Sequence, residues 1–244
     1  LLTKAGPDAT LVLSGDITFK GQQKGYDEAT EAMRDTLNEF GLSSHRIIIC
    51  PGNHDIVKLG ERQPSFGAFD AWSAGIRNDK HCTFTATTCR QVVCESIDFL
   101  LLNSAYHGDI TYGMVDFARL DEVLRDMGTM PVDGRVRVAV MHHHLIPVSA
   151  DENSATRNAH GVLSRLAKHG FSVLLHGHQH MLLSLKVGDS AMQISGVGSF
   201  RYSTPGYVNS AAIHRMDANR GLSTEFFAVS KDSNEFLMSV KPNF

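Results

Sequence analysis

Phe171-Ser172-Val173-Leu174-Leu175-His176-Gly177-His178-Gln179-His180 is the stretch on which the fold turns. Its apolar run is short and rich in branched side chains, as in a strand buried on both faces. It stops abruptly in a polar cluster with a glycine at its head. Glycine permits a sharp turn and close backbone approach at a strand end. His178 and His180 are two residues apart, so on an extended strand they point the same way. On a tight turn they could reach adjacent metal ions.

Working outward, three other apolar runs end in the same manner. Ala9 to Leu13 leads into Ser14-Gly15-Asp16, Arg46 to Cys50 into Pro51-Gly52-Asn53-His54-Asp55, and Val136 to Met141 into His142-His143-His144. Between the first two, Tyr26 to Phe40 carries Ala29, Ala32, Met33, Leu37 and Phe40 at helical spacing, with Gly41 as its cap. Strand, helix, strand is the signature of a parallel unit. Residues 56–81 are irregular, with a short helix expected around Phe69–Ala74, and 83–102 read as antiparallel strands ending in Ile97–Leu102. Met114–Met127 and Ala159–His169 read as helices. Beyond residue 180 the period falls to two, and Leu183–Val187, Ala191–Ile194, Ala211–Met216 and Thr224–Val229 read as strands. One domain spanning residues 1–244 is expected.

Composition narrows the possibilities. The 244 residues are 42% hydrophobic, enough for a sizeable core. A formal net charge of −3 gives no reason to invoke a basic surface for nucleic acid or membrane, although a local one is compatible with it. No apolar run approaches the roughly 18–20 residues that span a bilayer. Cys50, Cys82, Cys89 and Cys94 lack C-x-x-C spacing, so free thiols and a cytoplasmic location are expected, although the last three are close enough for a bridge. Thirteen histidines are the compositional outlier, and eight lie between His142 and His180. Histidine is the commonest metal ligand.

In α/β sheets, ligands bind beyond the carboxyl ends of the strands. If the four runs share one parallel sheet, Asp, Asn and several His line a common mouth. Carboxylate, amide oxygen and imidazole suit Mn, Fe, Zn or Co. Each cluster alone has an ordinary reading: Gly-Asp is usually a turn, and a histidine triplet is partly packing. The four together, in this order, are hard to attribute to chance.

Gly15-Asp16, Gly52-Asn53-His54-Asp55, Met141-His142 and Gly177-His178-Gln179-His180 resemble the ordered motifs of the calcineurin-like metallophosphoesterases, from about residue 8 to about 230. Met141-His142-His143 and the Asn103-Ser104, Gly113 and Leu120 segment look most like the class III cyclic-nucleotide phosphodiesterase branch. The resemblance implies an α/β fold, a four-layer α/β/β/α sandwich with two metals at one edge. It implies that Asp16 bridges both metals, that Asn53, His142 and His178 bind the second, and that His180 binds the first. His143 stands in for His142 if the triplet is shifted. His54 would protonate the leaving oxygen or stabilise transition-state charge, oriented by Asp55. A metal-bridging hydroxide would attack in line. The implied substrate is a small phosphodiester. A nuclease, a protein phosphatase and a degenerate scaffold or sensor domain are the alternatives. The family's Asp-x-His motif is missing before Gly15, so a chain trimmed at its N-terminus and lacking the first strand is expected. Were the motif truly lost, the first metal would keep only Asp16 and His180. Lesser candidates are His107 at a substrate mouth, Trp72 in a lid, His160, His176, Arg201 and Tyr202.

Overall fold

The computed structural model describes residues 2–57, 64–132, 134–187, 192–200, 209–216, 222–229 and 236–237. A short helix α1 (Leu2–Ala5) precedes β1 (Leu11–Ser14), α2 (Gln23–Phe40), β2 (Ile47–Cys50) and α3 (Gly67–Arg77). An antiparallel hairpin follows, β3 (Cys89–Cys94) and β4 (Ile97–Leu102), then α4 (Phe117–Met127), β5 (Val136–Met141), α5 (Ala159–Lys168) and β6 (Phe171–His176). The chain continues through β7 (Leu183–Val187), β8 (Met192–Gly196), β9 (Ser210–Met216), β10 (Leu222–Val229) and β11 (Phe236–Leu237). Arg201 and Tyr202 lie outside the described residues.

The strands form a parallel pair β1-β2, a six-stranded mixed sheet in the order β3-β4-β5-β6-β8-β7, and an antiparallel β11-β10-β9 sheet. The four motif-bearing strands therefore do not share a sheet. β1 and β2 pair with each other, while β5 and β6 sit centrally in the large sheet. Periodicity reports which faces of a strand are buried, not which neighbour it pairs with, so the sequence pattern does not reveal this division.

The inner strands of the large sheet, β4, β5, β6 and β8, are buried on both faces, and the alternation of their side chains sorts them into two cores. Leu100, Leu102, Ala139, Met141 and Leu174 pack with Leu120 and Leu124 of α4 and Val162 and Leu166 of α5. Phe99, Leu101, Val138, Val140 and Val173 point the opposite way. They meet Ile47, Ile48 and Ile49 of β2, with Tyr26, Phe69 and Trp72 of α2 and α3 in the same core. The order of layers is thus α2/α3, small sheet, large sheet, α4/α5: the expected four-layer α/β/β/α sandwich. Trp72 is buried, and its indole N–H donates to Thr30 Oγ1 between α2 and α3, which makes it core and not lid. All four cysteines are free and buried, with no bridge among Cys82, Cys89 and Cys94.

Arg137 anchors the outer helices. It is 1% exposed, and its guanidinium donates to carbonyls at the ends of both α4 and α5: Met127, Gly128, Met130 and His169. The last carbonyls of a helix have no partner within it and carry partial negative charge. One buried cation serves two helix ends here.

Candidate metal centre

The carboxyl ends of β1, β2, β5 and β6 converge although they belong to two sheets. Gly177 N–H donates to His142 O at 3.0 Å, and His142 Nδ1–H donates to Ser14 O at 2.8 Å. A carbonyl only accepts, so this second bond fixes the proton on Nδ1 and leaves Nε2 as the outward ligand atom. That Nε2 lies 3.1 Å from Asp16 Oδ2 and 3.1 Å from His178 Nδ1. Ligand atoms of Asp16, His142 and His178 all fall within 4.8 Å of one another. Three such atoms facing one point can share a cation.

Two glycines make the convergence possible. Gly15 has φ +96, and a Cβ there would sit 2.5 Å from His142 Nδ1. A Cβ on Gly52 would run into Asp16 Oδ1 and its backbone nitrogen. Asp16, His178 and His180 themselves have φ of 55, 69 and 50. Left-handed backbone at residues other than glycine costs energy and collects at functional sites.

Burial pushes the Asp16 carboxyl upward, but the neighbouring His142 imidazole, with His54, outweighs it and holds the group at about 2. Burial, reinforced by His142, pushes His178 down to about 3, which keeps it neutral as a ligand must be. Burial also lowers His142, yet Asp16 reverses this, and the net direction is upward. A cation bound here would displace the proton that those two groups share.

Asn53 is buried. Its amide N–H₂ donates to Ile110 O at 2.8 Å, while its Oδ1 is buried with no partner. A buried amide oxygen without a donor costs about 1–3 kcal/mol, and a cation would satisfy it. The donor set, carboxylate, amide oxygen and imidazoles, fits a first-row divalent metal. His180 stands outside the tight cluster but near enough to feel the charges of Asp16, His142 and His54.

His54 N–H donates to Asp16 Oδ1 at 2.9 Å, and its ring stacks on Phe19 with centroids 5.1 Å apart. Asp55 does not orient that ring in the way expected. Its Oδ1 accepts from Ile17 and Thr18 N–H and its Oδ2 from Gly52 N–H, so it ties the two motif loops together. Burial and the Asp16 charge push Asp55 up to about 7, while the backbone donors pull against that. His143 bonds Ser104 Oγ at 2.8 Å, with its ring 4.5 Å from that of His178. His176 is buried behind the site, and His160 is exposed on α5. His107, with Asp109, Thr111 and Tyr112, lines a cleft of about 510 Å³ beside Ile110. Phe19, Ile110, Glu152 and Gln179 carry no signal as site residues in the sequence. Phe19 and Ile110 are exposed apolar residues in loops, and nothing in such residues marks a site before folding.

A profile of the calcineurin-like phosphoesterases matches residues 1–182. The chain belongs to this family, whose general chemistry is metal-dependent hydrolysis of phosphate esters. Among curated proteins, none matches the sequence significantly. Solved structures with a similar fold include a dimetal phosphatase from Danio rerio, at 16% identity and TM-score 0.50 over 77% of this chain and 71% of that one. The protein TT1561 of Thermus thermophilus aligns at 14% identity and TM-score 0.51, over 91% of this chain and 89% of its own. GAP50, described as the anchor in the inner membrane complex of Plasmodium, aligns at 12% and TM-score 0.52, over 96% and 80%. No helix among the described residues is long and apolar enough to cross a membrane.

Proposed function

We propose that this chain is a phosphodiesterase acting on a small phosphodiester, such as a cyclic nucleotide or a glycerophosphodiester, with two divalent ions (Mn, Fe, Zn or Co). The observation that carries the reading is the His142 imidazole. Its Nδ1–H is spent on Ser14 O, and its Nε2 faces Asp16 and His178 beside the orphaned Asn53 Oδ1. In this reading Asn53, His142 and His178 would hold one ion, Asp16 would serve both, and His180 would serve the other. Bound divalent ions supply Lewis-acid activation of water and of phosphoryl oxygens. His54, held over Phe19, donates a proton to the leaving oxygen. The exposed Phe19 ring and Ile110 methyls beside the site give organic substituents something to contact, which favours a diester over inorganic or highly charged esters. Four free cysteines support a reducing, cytoplasmic setting.

A second reading, a non-catalytic scaffold, is favoured by one observation. Among the described residues Asp16, His142 and His178 cluster tightly, Asn53 stands beside them and His180 lies outside, so only one ion has a close set of ligands. Elemental analysis with bis(p-nitrophenyl) phosphate turnover under added manganese separates the two. Two metals per chain, and turnover abolished by Asn53→Ala and His178→Ala, establish the hydrolase. No metal and no turnover sink the enzyme reading and leave a scaffold or sensor as the better account.

A further inference from the structure

We infer that Glu152 is a positioning residue for the metal-binding turn at residues 177–180, acting through the His144 ring. The inference rests on the proposal that His178 and His180 are ligands. Glu152 lies in the loop between β5 and α5, and its side chain is 13% exposed. Its carboxylate is fully engaged. Val148 N–H donates to Oε2 at 2.8 Å, Ser154 Oγ–H to Oε1 at 2.6 Å, and His144 Nε2 stands 2.6 Å from the same Oε1. A carboxylate only accepts when ionised, so His144 donates.

The same His144 nitrogen lies 2.9 Å from Gln179 Nε2; its one hydrogen goes to Glu152, so this is a packing contact and not a second hydrogen bond. Gln179 is the residue between the two ligands, each of which holds a left-handed backbone, φ 69 at His178 and φ 50 at His180. Such conformations persist where the surroundings over-determine them. His144 also lies parallel to the His178 ring, 15° from coplanar with centroids 5.7 Å apart. Glu152 therefore fixes the His144 ring, which packs against Gln179 at the apex of the strained turn and backs the His178 ring. His144 is 1% exposed, so no water competes for this arrangement. Partners one step removed from a metal typically change its affinity by 10–100-fold when lost.

The test is cobalt titration followed by visible absorption, together with the melting temperature of the metal-free protein. Wild type, Glu152→Ala and Glu152→Gln are compared. Gln keeps one acceptor oxygen for His144 and Ser154 and loses only the acceptor for Val148 N–H, so it rescues the His144 contact at some cost to the loop. The expected result is Co²⁺ affinity weakened about 10-fold or more in Glu152→Ala, near wild type in Glu152→Gln, with metal-free melting temperatures close together. Equal affinity in wild type and Glu152→Ala overturns the inference and leaves the metal centre standing. So does an equal loss in both variants, or a loss that follows collapse of the metal-free fold. Failure of wild type itself to bind cobalt overturns the metal centre, and the positioning role with it.

Discussion

Replacing Arg137 with Met tests whether one buried cation secures two helix ends. The substitution keeps an unbranched apolar stem and removes the guanidinium. It leaves the carbonyls of Met127, Met130 and His169 without their donor, while Gly128 O keeps His169 Nδ1–H. Orphaning a buried acceptor costs about 1–3 kcal/mol, so three give at least ~3 kcal/mol. Loss of the cation's attraction to two helix C-termini adds roughly 1 kcal/mol. Against this, the variant no longer desolvates a charge, a term of several kcal/mol, and breaking buried ionic arrangements usually nets about 3–5 kcal/mol. Urea denaturation should therefore show a loss of about 4 kcal/mol, and melting should fall by roughly 10 °C for a chain of this size. Arg137 sits near the start of β5, at the opposite end from His142, so metal content at 25 °C should be unchanged. A drop under about 1 kcal/mol would falsify the anchoring role, because it would mean that water or relaxed helix ends replace the guanidinium at no cost.

Asp55→Asn should lose about 2 kcal/mol in urea denaturation, since an amide N–H₂ would face the Gly52 N–H that Oδ2 now accepts. Gly52→Ala should fold but bind cobalt far more weakly, because its methyl needs the place of Asp16 Oδ1; equal binding would mean that the two loops move apart freely. Acid unfolding should depend on Asp79. Partial burial raises its pKa, but bonds from Arg77 and His81 outweigh this and hold it at about 2 against an ordinary 3.8. The unfolded chain therefore binds more protons in that window, and about 2 kcal/mol present above pH ~4 is lost as pH falls toward ~2. The difference in stability between wild type and Asp79→Asn should close over that interval; a difference constant with pH would refute the ion pair.

The parts of the fold that are legible in the sequence are those where a chemical change coincides with a structural one. β1, β2, β5 and β6 all pass from aliphatics to Gly-Asp, Gly-Asn or histidine, so their ends and the candidate ligands beyond them can be read directly. Apolar spacing starts α2 three residues late, because Gln23, Lys24 and Gly25 give no apolar periodicity and Gln22 makes no side-chain cap. The role of Asp55 is hidden for a related reason. A carboxylate beside a histidine reads as its partner, whereas here the backbone N–H groups of Ile17, Thr18 and Gly52 claim it. Glu152 is invisible, because Asp151-Glu152-Asn153-Ser154 has the composition of a solvated turn. Only the folded chain brings it to His144.

The seam between the two sheets has a consequence for the whole molecule. Asp16 and Asn53 arrive from the small sheet, His142 and His178 from the large one, and Ser14 is 128 residues from the histidine it fixes. A cation held by all four would cross-link the halves of the sandwich, and it would do so only in the native state. At a free concentration about one hundred times its dissociation constant, such a ligand adds about 2.7 kcal/mol to folding stability. Metal supply would then govern how long the protein lasts as well as how fast it works.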